Sequence, residues 1–459
     1  MRIVLVKPSN LGDHIQPSLG LGYLATSVRE LHKVFILDCF KQKVKIKDIP
    51  KEILKFNPQV VGIQCLTFDI FNVRSILNSI KLADKAIITV VGGPHISALP
   101  YQTLGFFGDV CDFGFIGEAE TGFPKLIQAI EDRNFENIEG LIRRENGKII
   151  INDKVLIDDL DSLGQPSWDI LKPEEYPPSQ HGAFFSQFPI APIITTRGCP
   201  YNCTFCSVPE LCGKKLRHHS AEYVCDEIKY LYQKRGIREF HIIDDGFTTD
   251  INYAKHVCSE IASLNLNLSF ATPNGIRMEA VDDELLLLMK KCGFYSLSVA
   301  PESGSEQTLA RIRKGFDKEK INEICAKIKK FGFDLAGFFV IGFPWETEKE
   351  IEKTISFSTS LGLMRANFFC FLPLPGSQLY RELLATGEIE DIDWRNFYFM
   401  NAPYVSAAVT RPLLLSLKRK AFLNFYLRPD IFWNNLIRIK TLRHLWFLLK
   451  RAYRWLMKW

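Results

Sequence analysis

Over the first 135 residues, short apolar runs alternate with longer stretches whose apolar positions recur at helical spacing. The runs are Ile3–Val6, Val34–Leu37, Val60–Gln64, Ile87–Val91 and Asp112–Ile116. Strand-length runs rich in β-formers, each followed by a helical pattern, predict an open parallel sheet with helices on both faces. Such sheets bind ligands beyond the carboxyl ends of their strands. That places Pro8-Ser9-Asn10, Thr67, Gly92-Gly93-Pro94-His95 and Gly117-Glu118-Ala119-Glu120 where a ligand would sit.

Residues 136–189 read as a connector. Gly140–Arg144 and Lys148–Asn152 flank Asn146-Gly147, the signal of a hairpin with a type I′ turn. A proline-punctuated stretch from Asp158 to Pro178 follows, and Trp168, Tyr176, Phe184, Phe185 and Phe188 are expected to pack between domains. A share in the substrate pocket is the alternative for these rings.

A second alternation begins at Ile190, with strands near Pro192–Thr196, Phe240–Asp244, Leu268–Thr272, Tyr295–Ala300, Leu335–Ile341 and Asn367–Leu372. Six such units predict a partial (β/α) barrel over 190–400, and barrels carry their chemistry on the loops at the carboxyl ends of the strands. The fold class is therefore α/β: a Rossmann-like domain over 1–135, a connector over 136–189, the barrel, and a helical C-terminal region over 401–459.

A chain of 459 residues that is 47% hydrophobic fills sizeable cores and is not disordered. Its net charge of +5 is unevenly spread. From Arg411 to Trp459 there are 12 Lys and Arg against one acidic residue, Asp430, so the preceding 410 residues are net negative. Met1–Val6 reads as a strand rather than a secretory leader, and no apolar run approaches the ~18 residues of a membrane span. Twelve cysteines without a leader point to a reducing compartment, so a cytoplasmic enzyme is expected.

Three of those cysteines carry the sharpest signal. Cys199, Cys203 and Cys206 stand at CxxxCxxC spacing just after the first barrel strand. A closed iron-sulfur cubane uses four thiolates, so three leave one iron open to a substrate or cofactor. Cys212 could complete a four-thiolate zinc or closed cluster site, but no second CxxC follows. Its neighbours Lys214, Lys215 and Arg217 suggest a solvated loop.

The cysteine motif, with Phe205 just before its third thiol, resembles that of the radical S-adenosylmethionine enzymes. The resemblance implies a 4Fe-4S cluster on Cys199, Cys203 and Cys206, with the open iron chelating S-adenosylmethionine, whose reductive cleavage yields a 5′-deoxyadenosyl radical. Further strand ends match this family: Asp244-Asp245, Pro273 to Arg277, Ala300 to Ser305, Phe339 to Thr347 and Phe371 to Ser377. Adjacent strand residues point to opposite faces, so one of Asp244 and Asp245 is expected to meet the amine of S-adenosylmethionine. The other is expected to cap the following helix. The resemblance further implies Arg277 at its carboxylate, Glu302 and Ser303 at the ribose, and Gly342 backbone at the adenine, with Phe205 and Leu372 also in contact. Ser377 is expected to cap a helix.

The N-terminal segments Pro17 to Ala25, Gly92 to His95 and Gly117 to Glu120 resemble the cobalamin-binding domain that precedes some radical S-adenosylmethionine barrels. Thr67, Gly92, Gly93, His95, Gly117 and Glu118 are its implied cobalamin contacts. The DxHxxG signature that supplies a histidine to cobalt is missing, and Asp13-His14 does not fit its spacing. His95 is expected to touch the cofactor periphery or bond locally rather than ligate cobalt.

These resemblances imply a cobalamin-dependent radical methyltransferase acting on an unactivated carbon of a small-molecule or lipid-like substrate. They also imply a reductant such as flavodoxin or ferredoxin. A radical cyclase or rrearrangement enzyme of the same architecture is an alternative. An RNA methylthiotransferase is another, since Cys39, Cys65 and Cys111 lie near strand ends; against it, no RNA-binding module follows residue 400, and nucleic acid is not an expected partner. A non-catalytic electron-transfer or scaffold protein leaves the strand-end segments unexplained. In the tail, Leu442, Leu445, Trp446, Leu449 and Leu456 at helical spacing among Arg443, His444, Lys450, Arg451, Arg454 and Lys458 resemble an interfacial helix. Peripheral contact at the inner membrane face and a helix docked on the protein are the two readings of that segment.

Overall fold

The computed structural model describes residues 1–8, 15–132, 134–178, 185–390, 392–437, 439, 445, 446 and 449. The readings at Ser9-Asn10, Asp13-His14 and Phe184, and most of the tail helix beyond residue 437, lie outside them.

Five parallel strands follow the expected runs: β1 (Arg2–Lys7), β2 (Lys33–Asp38), β3 (Val60–Gln64), β4 (Ile88–Gly92) and β5 (Phe113–Phe115). β6 (Leu141–Glu145) and β7 (Lys148–Ile151) then extend the same sheet antiparallel, in the order β2-β1-β3-β4-β5-β6-β7. The hairpin assigned to the connector thus forms the edge of the N-terminal sheet. Asn146 (φ 50) and Gly147 (φ 75) both take the left-handed conformation that a type I′ turn needs.

β8 (Ile190–Ile193) opens the second unit. A two-strand ribbon, β9 (Thr196–Arg197) with β10 (Arg217–His218), brackets the cysteine segment. Then come β11 (Glu239–Ile242), β12 (Ser269–Thr272), β13 (Phe294–Glu302), β14 (Asp334–Ile341) and β15 (Arg365–Cys370). The six long strands run parallel in the order β15-β14-β13-β12-β11-β8, an open barrel with helices between successive strands. Side-chain caps start those helices: Ser220, Asp250, Asp282, Asp317 and, as expected, Ser377 each accept from a backbone N–H three residues on.

Of the connector aromatics, Trp168 and Tyr176 pack between domains, whereas Phe188 is exposed with Phe185 beside it. Trp168 and Tyr176 are buried; the Trp168 indole N–H donates to Glu227 on a barrel helix at 3.0 Å, and the Tyr176 hydroxyl donates to Asp38 at the end of β2. The C-terminal region packs against the barrel beyond residue 400. The helix Arg411–Tyr426 buries Leu414, Leu417, Ala421 and Phe425, and its Tyr426 hydroxyl donates to the Ala366 carbonyl of β15 at 2.9 Å. A Cβ on Gly342 would come within 2.8 Å of Leu414 on that helix. No helix of the described residues is long and apolar enough to cross a membrane.

Candidate functional site

The cysteine loop is closed by backbone. The Cys199 N–H donates to the Gly213 carbonyl (3.0 Å), and a Cβ on Gly198 (φ 93) would stand 2.2 Å from the Lys215 carbonyl oxygen, so glycine alone fits there. Further along, the Thr204 N–H donates to Ile312 O (3.2 Å) and Leu379 N–H to Thr204 O (2.9 Å), tying the loop to the ends of two later barrel units. Cys199, Cys203 and Cys206 are half-buried. Burial raises the Cys199 thiol and pushes Cys206 up to about 12, with Asp245 and the neighbouring thiols adding to the rise. Iron would reverse this, because a coordinating metal deprotonates a thiol outright.

Among the described residues no three His, Cys, Asp or Glu side chains converge as ligands of one ion do. The loop after Cys212 exposes Lys214 and Lys215 as expected, but Cys212 itself is half-buried. It lines the cavity described below, and the nearby Arg217 is buried because Glu118 neutralises it.

The two aspartates divide their work otherwise than expected. Asp244 is buried and accepts from the Thr195 N–H (2.7 Å) and the Thr195 and Thr196 hydroxyls; burial nonetheless raises its carboxyl to about 6. Asp245 lines the cavity and is exposed to it. Neither caps the next helix; Asp250 does, because that helix begins only at Ile251.

Arg277 stacks on Tyr201 of the cysteine loop, 3.6 Å from guanidinium carbon to ring centroid, and donates to Glu279 (2.6 Å) and Lys314 O (3.0 Å). Its Nε is buried without a hydrogen-bond partner. Glu302 is held at φ 65, a costly conformation for a residue with a Cβ, and accepts from Lys314 Nζ at 2.8 Å. Phe205 meets Phe343 edge-on, and Leu372 is half-buried after β15.

The Ser303 hydroxyl and the Gly342 N–H already have protein partners. The Ser303 hydroxyl lies 3.0 Å from that of Thr354 and accepts from the Ser305 N–H, while the Gly342 N–H donates to Glu346 at 2.8 Å. Glu346 organises this buried network, its carboxyl raised to about 7 by burial. Because Ser303 follows the left-handed Glu302, its side chain turns toward the helix behind the strand.

A cavity of about 300 Å³ joins the carboxyl ends of both sheets. Gly92, Gly93, Gly117 and Glu118 line its N-terminal wall, and Arg197, Asp244 and Asp245 its barrel wall. It also reaches between the sheet face at Leu5, Gly62 and Val90 and the helix Leu19–Val28 at Gly20, Leu21 and Leu24. A Cβ added at Gly20 or Gly92 would meet nothing within 4 Å. The strand order reverses between β1 and β3, the switch point where such sheets seat ligands.

Thr67 and His95 do not reach this cavity. His95 Nδ1 pairs with the Thr67 hydroxyl at 3.2 Å beneath the edge of Trp394, and burial lowers the imidazole to about 4, so it is neutral. The helix Pro94–Ala98 starts one residue past Gly93 and carries His95 away from the cavity. Sequence reasoning did not single out Gly62, Tyr23, Arg197 and Lys314; a glycine inside a strand, marking a close approach, was the one available signal.

Comparison with known proteins agrees with this layout. Residues 193–358 match the Radical SAM superfamily and residues 12–127 the B12 binding domain. An uncharacterized methyltransferase of Pyrococcus horikoshii is 32% identical over 466 residues, covering 100% of this chain and 98% of that protein. The cytidylyl-2-hydroxyethylphosphonate methyltransferase of Streptomyces wedmorensis is 28% identical, over 85% of this chain and 83% of its own. In fold, the chain is similar to OxsB, a cobalamin-dependent S-adenosylmethionine radical enzyme solved with aqua-cobalamin and S-adenosylmethionine bound. That match has a TM-score of 0.76 at 17% identity, over 98% of this chain and 70% of that one.

Proposed function

The chain belongs to the family of radical S-adenosylmethionine enzymes that carry a cobalamin-binding domain, and from that membership we propose a methyltransferase acting on an unactivated carbon of a small-molecule or lipid-like substrate. The observation that carries the reading is the single cavity walled on one side by Gly92, Gly93 and Gly117 and on the other by Asp244 and Asp245. A methyl carrier and a radical source would meet there.

The residues present suit these groups. Cys199, Cys203 and Cys206 would hold the cluster, beside the orphaned Arg277 Nε, a donor still in want of an acceptor such as a carboxylate. Asp245 would take an ammonium group, and Glu302, strained and facing Lys314, would accept from ribose hydroxyls. The open space at Gly20 and Gly92 and the apolar cleft along Leu5, Leu21 and Leu24 would admit a large, partly apolar cofactor. When bound, cluster, S-adenosylmethionine and cobalamin supply the electron, the radical source and the methyl carrier. Phe205 and Phe343 would screen the cluster side from water. Ser303, Gly342, Thr67 and His95 are given no cofactor contact.

The methylthiotransferase alternative loses support, because Cys39, Cys65 and Cys111 are buried in the N-terminal apolar core. The C-terminal region is proposed to touch an anionic lipid surface: Leu427, Phe432 and Trp433 are exposed beside a strongly basic tail. Flavodoxin or ferredoxin is proposed as the reductant.

Anaerobic reconstitution tests the reading. About four irons and one cobalamin per chain are expected, with reductant-dependent release of 5′-deoxyadenosine and a product heavier by one methylene. About eight irons, or a product without an added methyl, would defeat it.

A further inference from the structure

Two arginines and two glutamates lock the barrel to the N-terminal domain at the edge of the cavity. Arg197 and Arg217 face each other across the β9–β10 ribbon that closes the cysteine loop. Both reach Glu118, in the loop after β5. Arg217 grips it with two bonds, Nη1 to Oε2 and Nη2 to Oε1, each 2.7 Å, while Arg197 Nη1 lies 3.6 Å from Glu118 Oε1 and 2.9 Å from Glu120 Oε1. The set is shielded from solvent, the four side chains being between 1% and 12% exposed.

The ring of contacts extends further. Arg217 donates to the carbonyls of Ile157 (2.7 Å) and Cys212 (3.0 Å), and the Ile157 N–H donates to Glu118 Oε2 (2.9 Å). Arg197 stacks 5.0 Å over the ring of Tyr23 on the helix Leu19–Val28. One carboxylate therefore joins N-terminal sheet, connector and cysteine loop. Opposite charges balance within the set, and a planar guanidinium on a carboxylate fixes orientation as well as distance.

We propose that Glu118 is a positioning residue rather than a cobalamin contact. By holding both strands of the ribbon, it sets the separation and tilt between the cysteine loop and the glycine loops across the cavity. This rests on the cofactor reading above. Two redox centres on separate domains react productively only at a fixed approach, since misplacement of about 1 Å can cost about a hundredfold in rate.

The test compares full-length holoenzyme with E118A, E118Q and R217A, Arg217 lying outside the cavity lining. Pulsed electron paramagnetic resonance reads the distance between reduced cluster and cob(II)alamin, and amide hydrogen exchange reads residues 196–218 in the cofactor-free chain. E118A should keep its iron content and cobalamin affinity, while the single distance broadens and exchange over 196–218 accelerates about tenfold or more. E118Q, isosteric but uncharged, should fall between wild type and E118A if the latter folds poorly. R217A, which removes the guanidinium rather than the carboxylate, should reproduce the broadened distance and fast exchange of E118A. Loss of cobalamin affinity in E118A that R217A does not share, or unchanged distance and exchange in both E118A and R217A, overturns the proposal. A wild-type chain that takes up no cobalamin defeats the methyltransferase reading instead, and the exchange measurement alone then decides the clamp.

Discussion

Lys314 Nζ stands 2.8 Å from Glu302 Oε1, both side chains buried, in the neighbourhood of Cys203. Burial works against the ammonium, but Glu302 and the Cys203 side keep it charged and raise its pKa. Removing one partner of such a pair leaves an uncompensated buried charge. Lys314→Met should therefore destabilise the chain by about 3–5 kcal/mol, and the double variant with Glu302→Gln should recover much of that loss. Urea unfolding of the metal-free protein measures both; equal stability of wild type and Lys314→Met would show that the pair carries no such weight.

Cys203→Ala should abolish the cluster, because two thiolates do not hold a cubane. Cys212→Ala should leave iron content unchanged, its sulfur lining the cavity outside the three-thiol loop. Iron analysis after reconstitution separates the two, and loss of iron in the second variant would move Cys212 into the ligand set.

His95 is neutral and paired with Thr67 beneath Trp394. The bound cob(II)alamin should accordingly show no nitrogen superhyperfine splitting, and His95→Ala should still bind cobalamin. Splitting that vanishes in the variant would instead make His95 the cobalt ligand.

Glu227 is wholly buried, accepts only from Trp168 among the described bonds, and has its carboxyl raised by burial from 4.5 to about 8. A carboxyl raised on folding favours the native state below its unfolded pKa and loses that contribution as pH rises toward the folded value. From pH 5 to pH 8 wild-type stability should fall relative to Glu227→Gln, by up to about 1.4 kcal/mol per pH unit. Paired melting curves test this, since groups common to both proteins cancel.

The strand-end segments were legible because periodicity and turn chemistry are local. The five N-terminal strands and six barrel strands lie within a few residues of their expected places. What escaped notice depends on contacts distant in sequence. Glu118 reads as a ligand-loop residue until Arg217 is seen to fold back on it, and Ser303 reads as a pocket residue until the left-handed Glu302 turns it toward Thr354. The hairpin at Asn146-Gly147 was evident as a turn, but its attachment to β5 was not, because its pairing partner lies outside the hairpin itself.

Exposed Phe432 and Trp433, with the basic tail, should bind liposomes containing anionic lipid and release them in salt. Each basic residue near such a surface contributes about 1 kcal/mol and is screened within a Debye length. Phe432→Ser with Trp433→Ser should weaken sedimentation with vesicles while sparing cleavage of S-adenosylmethionine. Indifference of the wild-type chain to anionic vesicles at low salt would make this face structural.

The β9–β10 ribbon and the close approach of Gly198 to Lys215 fix the backbone of the cysteine loop. Entropy that ordering the loop would otherwise demand at the moment of iron insertion is already spent in the fold. A chain stripped of its cluster by oxygen should thus keep its protease resistance and its receptive loop. Repair then becomes a matter of delivering iron and sulfide to a finished seat, and the polypeptide can outlive many clusters.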